Sequence, residues 1–224
     1  MHIEPGLVDS TKIVLSYATA ATSAVFAAKL AYEHIRVDGL PSLILRGAIA
    51  TVLVFVFFEL FPHMPVGVSE VHLILGSSLF LIFGVAPTAI GLVGGLMIQS
   101  LFFSPTDLPQ LGMNVTTLLA ALFAMQEVAK RVVPANLAYV DLSYAHVFKL
   151  SLVFQGAIVS WVAFWTFYGQ GVSAVTLQSV ATFGAAYMTV LLLEPLVDMA
   201  VLAGAKALRG RPVAALLTTR RLYA

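Results

Sequence analysis

The chain is 224 residues long, 60% hydrophobic and only 10% charged, with mean hydropathy +0.96 and net charge +1. A soluble domain carries about 25% charged residues, so this composition excludes one and describes an all-α polytopic membrane protein. With no cysteine the chain has no disulfide, thiolate metal site or thiol redox chemistry, and any metal must be held by nitrogen and oxygen.

A helical span takes about 20 apolar residues, which allows about seven here. Residues 1–10 are a polar lead with Glu4, Pro5, Gly6 and Asp9. No basic segment precedes the first apolar run, so no cleavable signal is expected, and bulky His2 disfavours removal of Met1. The first span, about 12–32, carries a small-residue stripe at Ala20, Ala24 and Ala28 that admits a second helix at close range. A polar link (Glu33, His34, Arg36, Asp38) leads to the second span, about 41–61, which ends at Phe61-Pro62-His63-Met64-Pro65. The third, about 69–84, is short and carries Glu70 and His72 in its first turn. The fourth, about 86–103, ends at Gln99-Ser100-Leu101-Phe102-Phe103, and a proline-containing loop with Asp107 follows. The fifth, about 113–129, opens with Asn114 and closes at Lys130-Arg131. Residues 132–146 read as an interfacial segment. The sixth span, about 147–168, ends in Trp161, Trp165, Phe167 and Tyr168, which suggest an aromatic belt. The seventh, about 174–205, meets Glu194-Pro195 and Asp198, where it is expected to kink or leave the membrane. The whole of 1–224 reads as one transmembrane domain with a basic tail over 206–224.

Seven spans put the termini on opposite sides. Eleven of the twelve Lys and Arg then fall on one face, and only Lys12 on the other. The positive-inside rule makes the basic face cytoplasmic. The N-terminus is therefore expected outside, together with His2, His63, Glu70, His72, Asp107 and Asn114, while His34 and His146 lie inside.

Met1-His2 forms a compact chelating unit. The terminal amine, the His2 amide nitrogen and its imidazole bind one ion through fused rings and leave one equatorial position open. A second imidazole fills it. Four nitrogens in a plane suit Ni(II), Cu(II) or low-spin Co(II) rather than tetrahedral Zn(II). A lone His72 at an interface is otherwise a solvated or hydrogen-bonded residue, although polar groups inside a bundle are often functional. On a helix Glu70 faces away from His72, to orient a ligand or attract cations to the mouth. His63, between two prolines, is a spare ligand or an outer collecting group. Asn114 either holds a ligand in place from behind or caps its helix.

Met1-His2-Ile3 with its Glu/Pro/Gly turn, His72 followed by Leu73 and Gly76, Gln99-Ser100-Leu101-Phe102-Phe103 and Leu111-Gly112-Met113-Asn114-Val115 together resemble the CbiM/NikM family. These are the nickel/cobalt substrate-capture subunits of energy-coupling-factor ABC transporters. The resemblance covers roughly 1–130 in motifs and the rest in size and hydropathy. It implies a seven-helix inner-membrane subunit of a prokaryote whose metal ligands are the Met1 amine, the His2 amide and imidazole, and the His72 imidazole. It also implies a membrane coupling (T) subunit and paired cytoplasmic ATPases as partners, besides the lipid bilayer, and no nucleic acid. No Walker-type loop is present, so ATP hydrolysis belongs to the partners. The Ala20/Ala24/Ala28 stripe resembles the faces such subunits offer to the coupling subunit, and equally suits packing within the chain. The sequence departs from the family pattern where Glu4 precedes Pro5, at Val66-Gly67-Val68-Ser69-Glu70 and at Thr116-Thr117-Leu118-Leu119.

Two other readings compete. A secondary transporter or capture subunit for a non-metal substrate would tolerate loss of His2. A membrane enzyme would need paired acids at one depth; Glu194 and Asp198 share a helix face, but Lys206 and Arg209 follow them, which favours salt bridging.

Overall fold

A computed structural model of the chain describes residues 3–211 and 216–223. Among the described residues the α-helices run in the order α1 (Val14–Asp38), α2 (Leu40–Glu59), α3 (Gly76–Phe83), α4 (Val85–Phe102), α5 (Leu111–Val132), α6 (Tyr144–Gln170), α7 (Ala174–Met188) and α8 (Glu194–Ala207). A small antiparallel hairpin, β1 (Met64–Val66) and β2 (Ser69–Val71), sits between α2 and α3. The all-α polytopic architecture is as expected. Among the described residues six helices, counting α7 to α8 as one run, are long and apolar enough to cross a membrane.

The close pairing of α2 with α4 rests on small residues. In a bilayer, helices associate by van der Waals packing, which small residues permit at short range. A Cβ on Gly91 would stand 2.5 Å from the Ala50 Cβ and 2.8 Å from the Ala50 carbonyl carbon. Gly91→Ala should therefore lower stability by about 1–3 kcal/mol, the usual cost of overpacking. Its melting temperature in detergent should drop, while Gly156→Ala, with nothing within 4 Å of the added methyl, stays near wild type in packing.

The third expected span differs. Pro65 and the β-branched run with Gly67 at φ +64° make a hairpin whose two-residue loop is Gly67-Val68. Only the second part, Gly76–Phe83, is helix. The stretch 69–84 is thus a strand, an irregular descent through His72 and a half-length helix. Non-helical backbone is tolerated at membrane depth where protein surrounds it, and residues 74–81 are all buried.

The seventh expected span breaks as anticipated near Glu194-Pro195: α7 passes through a 3₁₀ turn, Thr189–Leu192, into α8. Residues 132–146, expected as an interfacial segment, form a mostly irregular link between α5 and α6. Between the end of α5 at Val132 and the start of α6 at Tyr144 the regular piece is a 3₁₀ turn at Tyr139–Asp141, with Tyr139 and Val140 buried. One further expectation needs correction. Trp165 does not stand in a belt at the surface; it is wholly buried, with Trp161, Phe164 and Tyr168 packed around it.

The two ends of the bundle differ in charge. At one end lie residues 3–12, the hairpin and the start of α5; Lys12 Nζ bonds the carbonyls of Tyr168 and Gly169 there at 3.2 Å each. At the other, Asp38 receives Arg46 at 3.2 Å and Arg220 at 2.5 Å, and Asp141 receives Lys206 at 2.6 Å and Arg209 at 3.4 Å. Lys12 thus lies at the hairpin end, and Arg46, Lys206, Arg209 and Arg220 lie at the other.

Candidate metal centre

The centre is built from the N-terminal segment upward. Pro5 and Gly6 form a tight turn, with Gly6 at φ +83° and Leu7 N–H donating to the Glu4 carbonyl at 3.2 Å. Proline followed by a positive-φ glycine is the pattern of a type II turn. The departure at Glu4-Pro5 thus makes a turn that folds the chain back on itself. The segment before it lies along the hairpin. Ile3 bridges Ser69 in antiparallel fashion, and Glu4 N–H donates to the Val68 carbonyl at 3.3 Å.

Asn114 fastens this edge. Its Oδ1 accepts from Ile3 N–H at 3.1 Å, in a fully buried position. The helix-cap alternative is excluded, because α5 begins at Leu111 with no side-chain cap. Asn114 Nδ2 is buried and has no hydrogen-bond partner among the described residues. A buried donor of that kind is a group a nearby acceptor would satisfy.

His72 follows β2 directly. It is not inside a helix, as the sequence reading had it, but on the extended descent that leads to α3. The correction also reverses the reading of Glu70. On an extended chain residues i and i+2 point the same way. Glu70 Oε2 accordingly meets His72 Nε2 at 2.8 Å. The His72 side chain is 0% exposed and that of Glu70 25% exposed. A carboxylate on one ring nitrogen fixes the tautomer and the ring orientation. His63 is exposed but not remote: its ring stacks on His72 with centroids 5.0 Å apart and planes 9° from parallel. Phe58, wholly buried, packs against His72 with ring centroids 5.5 Å apart and planes at 63°.

Two contributors were not singled out for a role from the sequence. Gln99 Nε2 donates to the Phe58 carbonyl at 3.3 Å and to Glu59 Oε2 at 3.2 Å, holding the end of α2 that backs His72. Leu75 takes φ +54°, uncommon for a residue with a side chain, in the bend that joins His72 to α3. The signal for Gln99 was its place in the motif around 99–103; Leu75 left none.

Met1 and His2 lie outside the described residues. Among the described residues no three of His, Asp and Glu converge as a metal-holding group. His72, Glu70, His63 and Asn114 are gathered at one end of the bundle, around the strand edge that Ile3 occupies. Asp107, also expected on this face, lies in the 3₁₀ turn Pro105–Gln110 before α5.

The helices form a multi-pass membrane bundle with a buried imidazole near an anchored N-terminal segment. The chain belongs to the CbiM family, the cobalt uptake substrate-specific transmembrane region, whose family model matches residues 2–211. It is a substrate-specific membrane component of metal uptake. A search of curated proteins found no matching relative. Among solved structures, a crystal structure of a transition metal transporter shares the fold with TM-score 0.75 and 18% identity, over 96% of each chain. A truncated transition metal transporter matches with TM-score 0.69 and 18% identity, over 93% of this chain and 97% of that one.

Proposed function

We propose that this chain is the substrate-capture subunit of an energy-coupling-factor transporter and binds Ni(II) or Co(II) through the Met1 amine, the His2 amide and imidazole, and His72. One observation carries the reading. Ile3, the residue that follows Met1-His2 in the chain, is pinned between Asn114 and Ser69 beside the hairpin that leads to His72. Two residues reach at most about 7 Å from that tether. The family membership supports metal as the cargo.

Glu70 orients the His72 imidazole, Asn114 orients the N-terminal strand, and His63 stacks at the entrance as a collecting group. The basic end faces the cytoplasm of a prokaryotic cell and the hairpin end faces outward. Transport draws on a coupling subunit and ATPases, which supply the hydrolysis. Ala24 and Ala28 of the small-residue stripe are exposed on α1 rather than packed inside the chain, as a docking face for the coupling subunit requires. The capture function is assigned to the single transmembrane domain 1–224.

The test is metal content and titration of the purified protein with its native N-terminus. Equimolar Ni(II) or Co(II) with a planar-nitrogen visible spectrum is expected; no uptake of either ion sinks the reading. Asn114→Ala should weaken metal binding by about 10–100-fold, the cost typical of losing an outer-shell partner. Calorimetric titration measures it.

A further inference from the structure

The Glu194–Asp198 pair is not tied to Lys206 and Arg209, as the sequence suggested; both of those cations bond Asp141 instead. The two acids are wholly buried inside the bundle. Asp198 accepts three hydroxyls: Ser77 at 2.7 Å, Ser151 at 3.0 Å, and Ser78 at very close range. Glu194 Oε2 accepts from Gln155 Nε2 at 2.5 Å, and the Gly76 N–H and Ser77 hydroxyl of α3 also face this side chain. Glu194 Oε1 and Gln155 Oε1 are buried acceptors with no donor among the described residues. The Tyr187 hydroxyl is wholly buried, has no partner among the described residues, and lies within electrostatic reach of Glu194.

We propose that Glu194 and Asp198 form a proton-binding site inside the bundle, with one proton carried on Glu194 Oε1 while Asp198 stays ionised. Three donors on Asp198 are what an anion requires. Two acceptors without a donor, Glu194 Oε1 and Gln155 Oε1, are what an amide facing an ionised acid leaves behind. A proton on Oε1 supplies the missing donor, to Gln155 Oε1 or to the Tyr187 oxygen. Acid and amide then exchange two hydrogen bonds, the Gln155 N–H donating one way and the Glu194 O–H the other. The unpartnered Tyr187 hydroxyl is the independent sign that the cluster receives something. A metal ion fits less well, since no three of His, Asp and Glu converge there among the described residues.

Among the described residues no basic group is bonded to the pair, and Lys206 and Arg209 are held by Asp141 of the 3₁₀ turn packed on α8. From α3 come only the Gly76 N–H and two serine hydroxyls, from α6 Ser151 and Gln155, and from α7 the Tyr187 phenol. On α6, His146 is bonded to Ser143 and Lys149 is exposed. Two uncompensated carboxylates in a bilayer interior are costly, and one proton removes half of that charge. The site also clamps the first turn of α3, directly after the His72 bend, so the proton joins α8 to the segment that carries the metal-side imidazole.

Infrared spectroscopy of the purified, metal-free protein at neutral pH tests this without reference to metal binding. A protonated-carboxyl C=O stretch is expected in the wild type, absent in Glu194→Gln and retained in Asp198→Asn. Glu194→Gln should keep the wild-type melting temperature, because its amide reproduces both bonds of the acid. If that variant does not fold, the wild-type band decides alone: it should bleach as pH rises. A spectrum without the stretch, or one unchanged by Glu194→Gln, overturns the proposal. So does a wild-type melting temperature raised by sodium, magnesium or calcium but unaffected by these ions in Glu194→Gln, which would mean a metal cation instead.

Discussion

Residues added before Met1 should abolish high-affinity binding of Ni(II) and Co(II) while leaving the helices intact. The extension converts the terminal amine into an amide and removes one of the four planar nitrogens. It also takes away the first chelate ring, so the His2 amide loses the neighbour that holds the ion while its proton is displaced. The fold should not notice. Ile3 keeps its bond to Asn114 and its bridge to Ser69, and neither uses the amine. The unmodified protein should show a second signature of the same chemistry. Amine, amide and imidazole ligands must shed protons to bind a metal ion, so affinity should fall as pH drops. Calorimetric titration of the native and extended forms, with circular dichroism as the folding control, measures both. Equal metal affinity in the extended form would remove Met1 from the site and leave a non-metal substrate as the stronger reading.

How far the sequence led can be seen at particular residues. Apolar runs of membrane length marked the second span at 41–61, and α2 occupies Leu40–Glu59. Such runs are legible because a bilayer forces every backbone group to bond within its own helix. The stretch 69–84 escaped that logic. Hydropathy counts apolar residues whatever their backbone, and a Val-rich hairpin scores like a helix. Gly67 between two valines, after Pro65, was the readable sign of a turn. The misplaced backbone then misplaced Glu70, since period 2 and period 3.6 send residue i+2 to opposite sides. Glu194 and Asp198 were misread for a different reason. Lys206 and Arg209 were their neighbours in sequence, but Asp141, at the basic end, was the neighbour in space. The gathering of His63, His72 and Asn114 was foreseen from side assignment alone, without any contact between them.

His72→Ala should weaken Ni(II) and Co(II) binding by more than the roughly 10–100-fold that an outer-shell change costs, because it removes a ligand rather than a support. His63→Ala should cost much less. The two rings are parallel and 5.0 Å apart, so sequence proximity and stacking alone do not separate a ligand from a bystander. Burial does. His72 is enclosed by Phe58 and held by Glu70 at 2.8 Å, which fixes its ring where an ion would find it, whereas His63 is exposed and bonds the Phe61 carbonyl at 3.2 Å. A truncation at a buried site also leaves a cavity, which costs stability by itself. Metal-free melting of His72→Ala isolates that cost, and Glu70→Gln provides the graded comparison. Glu70→Gln keeps the shape and one hydrogen bond, but it no longer presents a carboxylate to the ring, so its affinity should fall between wild type and His72→Ala. Should His63→Ala prove the more damaging of the two histidine variants, the ligand is the exposed ring at the mouth. The buried imidazole would then be a structural member of the hairpin, and the anchored strand would lead to His63.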